Sequence, residues 1–141
     1  MTFAGINYVA VMIAAVLGFA ASAAWYMSLS RSYAAALGKT VDQMAEERKK
    51  PGALLPYLYA LLGNLIIGWM LAGLLAHLGA GQVTFRNGVI SAAFIWFGFI
   101  LTTMFVNFSF SGRDRRLLTI DAGNWLIVFL VIGAVIGWIG V

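Results

Sequence analysis

The sequence predicts an all-α polytopic membrane protein, a bundle of four transmembrane helices, and three observations predict it. The first is composition: 62% of the 141 residues are hydrophobic and 10% are charged, against about 45–50% and 25% in an ordinary soluble domain. The second is spacing. Four apolar stretches, at about residues 7–29, 54–78, 88–109 and 118–139, each reach the roughly 20 residues that a helix rising 1.5 Å per residue needs to cross hydrocarbon. The third is charge placement: all 9 Lys and Arg residues fall between these stretches. The chain therefore reads as one four-span membrane domain over residues 1–141.

The first span carries small residues at every fourth position, Ala10, Ala14, Gly18 and Ser22, and ends in Trp25-Tyr26. Such amphipathic rings favour the membrane interface. A secretory signal peptide is the competing reading, because Ala21-Ser22-Ala23 resembles a cleavage site, but no basic residue lies between Met1 and Tyr8. The polar loop 30–52 follows. Gly38 and the Thr40-Val41-Asp42-Gln43 capping-box pattern predict a short amphipathic helix with Val41, Met44 and Ala45 on one side, stopped by Pro51-Gly52. It reads as a solvated connection or as a surface for a partner.

The second span is the expected organiser. Ala60, Asn64, Gly68, Ala72 and Ala76 form a nearly flat face, matched to the Ala14 and Gly18 face of the first span, and in lipid such faces let helix backbones approach closely. The third span is bulky, with Phe94, Trp96, Phe97, Phe99, Phe105 and Phe108. These rings face lipid or fill gaps beside small residues; a chromophore pocket is the sharper alternative. The fourth span ends in Gly133-x-x-x-Gly137, a candidate face for self-association. On this reading Gly68→Leu disrupts folding more than Gly133→Leu, which chiefly weakens oligomers.

Charge sets the expected orientation. Of the basic residues, 5 lie between spans one and two, 3 between spans three and four, and only Arg86 in the middle turn. The positive-inside rule then makes the first and third loops cytoplasmic and puts both termini outside. The net charge of +4 reflects this topology and contact with the lipid bilayer. Nucleic acid is not an expected partner, since the chain lacks a basic soluble region that could read it.

The polar residues inside the spans are few: Ser22, Tyr26, Asn64, Thr102, Thr103, Asn107, Asp121 and Asn124. Each needs a partner or a water-lined cavity. Their depths predict a polar cleft at the cytoplasmic side around Asp121, or else a salt bridge from Asp121 to Arg113, Arg115 or Arg116. Gly18-Phe19 and Gly98-Phe99, with Gly63-Asn64 and Gly123-Asn124, suggest a 2+2 internal repeat in which Ser22 pairs with Asn64, and Thr102 or Thr103 with Asn124. Catalytic chemistry is not expected. The chain has no cysteine, its single histidine, His77, stands at the outer end of span two, and no G-x-S-x-G elbow occurs. No metal site and no cofactor are expected either.

Several short motifs together resemble a known family. Asn7-Tyr8 and Trp25-Tyr26 bound span one; Gly38-Lys39, Thr102-Thr103 with Asn107, and Gly112-Arg113 before Ala122-Gly123 follow. This set is similar to the bacterial membrane family of the domain of unknown function numbered seventeen sixty-one, and the similarity covers nearly the whole chain. Many members of that family carry an aromatic residue and a histidine after the glycine of span four, where this chain has Asn124-Trp125; a role resting on that histidine does not transfer. The resemblance implies a four-span protein of the bacterial inner membrane and supplies no activity. The expected function is that of a non-enzymatic binding or accessory subunit, acting on a lipid, a small molecule or a membrane-protein partner, and self-associating as a homo-oligomer. A small dimeric transporter or channel is the alternative.

Overall fold

The computed structural model describes residues 5–79 and 81–141, so the expectations for Met1–Tyr8 and for the turn at 79–87 fall partly outside the described residues. Asn7 starts the first helix, its side chain accepting the Ala10 amide at 3.1 Å and so satisfying one of the free N-terminal donors. From there α1 runs Tyr8–Ser28. After Leu29 comes α2 (Ser30–Ala36), a second short helix in a loop where the sequence predicts one. Gly38, at φ +68°, takes the left-handed conformation that ends it. The expected capping box then opens α3 (Val41–Glu47): Thr40 Oγ1 accepts the Gln43 amide at 3.2 Å, and Gln43 Oε1 accepts the Thr40 amide at 2.9 Å.

Leu54 leads into α4 (Leu55–Ala76), with Pro56 in the first turn, where a missing N–H costs little. Thr84 caps α5 (Phe85–Ile95) by accepting the Asn87 amide at 3.2 Å. A π-helical segment, Trp96–Leu101, continues without a break into α6 (Thr102–Ser111), so the third span extends over Phe85–Ser111. Asp114 then caps α7 (Arg115–Ile139). Among the described residues four helices are thus long and apolar enough to cross a membrane, the third and fourth starting three residues earlier than hydropathy suggests because their caps lie in polar sequence.

The centre of the bundle is α7, which packs on α1, α4 and α5. Of the most apolar part of each span, 44% is buried in the fourth, 28% in the first and second, and 6% in the third. Placing the second span at the centre is therefore corrected. The reason is that α4 has one small-residue face, whereas α7 has two working faces. Val128, Ile132 and Ile136 form one, fully buried towards α1 and α4, while Gly133 and Gly137 form the other, against α5.

On the first face the small-residue rows do point inward. Ala14 and Ala72 are fully buried, and a Cβ added at Gly68 would lie 3.3 Å from Val11 Cγ1 and 3.5 Å from the Val11 carbonyl. A Cβ at Gly18 would lie 3.0 Å from Ile132 Cγ1, so an isoleucine of α7 fills the groove between the first two spans. On the second face the contact is backbone on backbone. Gly88 meets the Gly133 carbonyl and the Gly137 Cα, and Gly137 meets the Thr84 carbonyl. Gly133 and Gly137 are consequently consumed inside the chain and do not form a free self-association face. This reverses the expected ranking of Gly68→Leu over Gly133→Leu, because side chains can yield and a helix carbonyl cannot.

The π segment decides what the third span shows to the bundle. An α-helix advances about 100° per residue, so residues spaced by four drift about 40° per step. The wider turn corrects that drift, keeping Gly88, Ala92, Trp96, Ile100, Met104 and Phe108 turned inward. Without it, Phe99, Thr103 and Asn107 would occupy the lower inward positions; instead Phe99 is 69% exposed, and Thr103 and Asn107 are exposed too. Phe94, Phe97 and Phe105 also face outward.

Candidate functional site

The polar residues that the fold brings together lie where α1 meets α7, near the end carrying the 30–54 connection. Trp25 Nε1–H donates to the Ile120 carbonyl at 2.9 Å. Its ring lies over Gly123, where a Cβ would stand only 2.7 Å from Trp25 Cζ2. The next residue, Tyr26, donates its hydroxyl to Asp121 Oδ1 at 2.8 Å. From the opposite side, Trp96 of the π segment donates Nε1–H to the Ala122 carbonyl at 2.9 Å. Three consecutive residues of α7 are therefore held by side chains of two other spans. The two carbonyls use their second lone pair for this, which leaves the helix ladder intact.

Tyr33 of α2 closes the end of the site, edge-on to the Tyr26 ring at 4.9 Å between centroids. Burial, and then the nearby Asp121 charge, push its phenol above the ordinary tyrosine value. Asp121 does not form the predicted salt bridge. Arg116 instead pairs with Asp114 at 2.7 Å, because the N-cap carboxylate two residues earlier is within easy reach. Arg113 lies over the Phe108 ring at 5.5 Å, a cation–π placement.

Ser22 stands one helical turn from Gly18, which faces Ile132, and one turn from Tyr26, which bonds Asp121. It therefore lies on the α1 face that meets α7. Asn124, one turn beyond Asp121, is 4% exposed, and its Oδ1 accepts no hydrogen bond among the described residues. Ser22, Tyr26, Asp121 and Asn124 thus fall along one polar seam by helical spacing, with Tyr26 and Asp121 hydrogen-bonded within it.

The other four candidates lie elsewhere. Asn64 is 2% exposed and donates Nδ2–H to the Ala15 carbonyl at 3.4 Å, deeper in the bundle, instead of meeting Ser22. Thr102 donates to the Gly98 carbonyl of its own helix at 2.7 Å, while Thr103 and Asn107 face outward. Neither hydroxyl–amide pair of the suggested repeat is formed, since the π segment turns the threonines away and α1 offers Asn64 a backbone carbonyl first. His77 is exposed and places Nδ1 2.6 Å from the Gly73 carbonyl, at the end of α4.

Sequence reasoning missed the two indole–carbonyl bonds and the seats at Gly88 and Gly123. It assigned Trp25 to the interface by its amphipathic ring alone. The signal that could have found the pairing is the glycine at 123, a bare backbone patch of one ring's width beside an acidic residue. Among the described residues no group of three or more His, Cys, Asp or Glu side chains could hold a metal.

Residues 9–137 match the family described as protein of unknown function DUF1761. The chain belongs to this family. No curated protein and no solved structure shows significant similarity to it. The DUF1761 match includes every residue of the α1–α7 seam and of the Gly88–Gly133–Gly137 contact, so both lie inside the family's own domain.

Proposed function

We propose that this DUF1761 protein is a non-enzymatic protein of the bacterial inner membrane that acts by binding another membrane-embedded helix, as an accessory subunit or within a homo-oligomer. The observation that carries the reading is the outward face of the third span. Thr103 and Asn107, one turn apart, are exposed there with Phe99 and Phe110 one turn away on either side. Thr103 stands about 12 Å from the helix end at 1.5 Å per residue, well inside a hydrocarbon layer of about 30 Å. Polar groups at such depth are stabilised by a partner helix that offers hydrogen bonds. The excess of basic residues in the 30–54 connection and over residues 112–116 supports a cytoplasmic position for both and an outside position for the termini.

Native mass spectrometry of the protein released from mild detergent tests this. A fixed second subunit, identical or foreign, is expected for the wild type and is expected to be depleted in a Thr103→Leu/Asn107→Leu double variant. A strictly monomeric wild type would refute the reading. A small dimeric transporter or channel is the second reading, favoured by the Asp121 carboxylate inside a span with no arginine or lysine paired to it; transport lost in Asp121→Asn would select it.

A further inference from the structure

We infer that the α1–α7 seam is a binding site for a single dehydrated monovalent cation, sodium being the probe of choice. The side-chain acceptors it offers a ligand are hard oxygens: the Asp121 carboxylate, the Asn124 amide oxygen, the Ser22 hydroxyl and the Tyr26 hydroxyl. Hard oxygen sets suit hard cations rather than transition metals. Two independent observations point to a ligand. Asp121 lies six residues into α7 with one oxygen taken by Tyr26, and the arginine whose field reaches it, Arg113, is held on the Phe108 ring. Asn124 is on the same side of α7 three residues on, a spacing that makes the two side chains neighbours. Its Oδ1 is enclosed and accepts no hydrogen bond from the described residues, and an enclosed acceptor without a donor is costly.

One cation answers both, supplying the directly bound charge that Asp121 lacks and the electrophile that Asn124 Oδ1 lacks. A single carboxylate among neutral oxygens balances one positive charge. That selects a monovalent over a divalent ion. Tyr26 donates to Oδ1, so it steers the free Oδ2 lone pairs and presents its own oxygen beside them. Trp25 and Trp96, bonded to the carbonyls on either side, fix this turn of α7 against two spans, so the donors are held in place without the ion.

The test measures the thermal midpoint of the full chain in detergent as choline chloride is replaced by sodium chloride at constant ionic strength. The wild type is expected to show a saturable rise, with the half-saturating concentration shifted at least about tenfold in Asn124→Leu and the rise abolished in Asp121→Asn. Each variant is read against its own midpoint in choline, which separates ion binding from any change in packing. Equal midpoints in the two salts, or an undiminished rise in Asp121→Asn, would overturn the assignment. Should a variant fail to fold, radioactive sodium bound by the wild type and displaced by unlabelled sodium supports the site, and its absence refutes it.

Discussion

Gly133→Ala is the most informative single substitution in this fold. The added Cβ would stand 2.7 Å from Ala92 Cβ, and closer still to the Gly88 carbonyl. Restoring ordinary contact at 3.4 Å with the Gly88 carbonyl, the closer of the two, requires α5 and α7 to separate by about 1 Å, and a radial gap of about 0.5–1 Å forfeits a quarter to a half of each dispersion well along the seam. Overpacking of this kind costs about 1–3 kcal/mol. The upper end applies, because the obstacle is a helix backbone that cannot rotate away. Exchanging glycine for alanine in a helix returns about 1 kcal/mol of propensity, so the net loss is about 2 kcal/mol. Gly68→Ala meets Val11 Cγ1 at 3.3 Å and otherwise only contacts of 3.5 Å or more, and Gly98→Ala meets nothing within 4 Å. The expected order of destabilisation is Gly133, then Gly68, then Gly98, read by reversible unfolding in mixed micelles with tryptophan fluorescence as the probe. Gly88→Ala combined with Gly133→Ala should cost less than the two singles together, since one separation relieves both. Equal midpoints for Gly133→Ala and Gly98→Ala would refute the backbone-contact reasoning.

Other consequences are open to measurement. Gly123→Ala should displace the Trp25 ring, seen as a shift in its fluorescence and loss of the Ile120 bond, whereas Trp25→Phe removes the N–H together with part of the ring, costing more than the about 0.6–1 kcal/mol of the hydrogen bond alone. Tyr26→Phe removes the hydrogen bond that α1 donates to Asp121 and should cost about 0.6–1 kcal/mol in the same unfolding assay. Thr40→Ala should raise amide exchange at Gln43 and across α3, with about 1 kcal/mol lost locally. The hydrogen bond from Arg116 holds the Asp114 carboxyl below the ordinary aspartate value. Its cap on α7 is thus complete above the unfolded-state value and is lost as pH falls through the depressed one. The Arg116 amide resonance should titrate with an acid midpoint below that of a free aspartate, and Asp114→Asn should abolish the titration.

The sequence by itself determined the number of spans, the lengths of the helices to within a few residues, and the capping box and glycine stop of the first loop. Thr40 with Gln43, and Gly38, act on groups within four residues of themselves, and hydropathy is summed over one segment at a time, so these features need no knowledge of neighbours. It also identified Tyr26, Asp121, Ser22 and Asn124 as polar groups requiring partners, because hydrocarbon penalises each of them wherever it stands.

Only the tertiary structure decided who the partners are. Small residues recur on three spans, and nothing local distinguishes a groove filled by Ile132 from a seam where Gly88, Gly133 and Gly137 bring two backbones together. Which helix becomes central depends on how many faces are matched by other helices, and α7 is matched on two. The π segment is the clearest case. Its extra residue rotates everything after Leu101, sending Thr103 and Asn107 outward and leaving the polar seam to α1 and α7. A change of one residue per turn is invisible to a hydropathy window, yet it sets the facing of ten residues of helix.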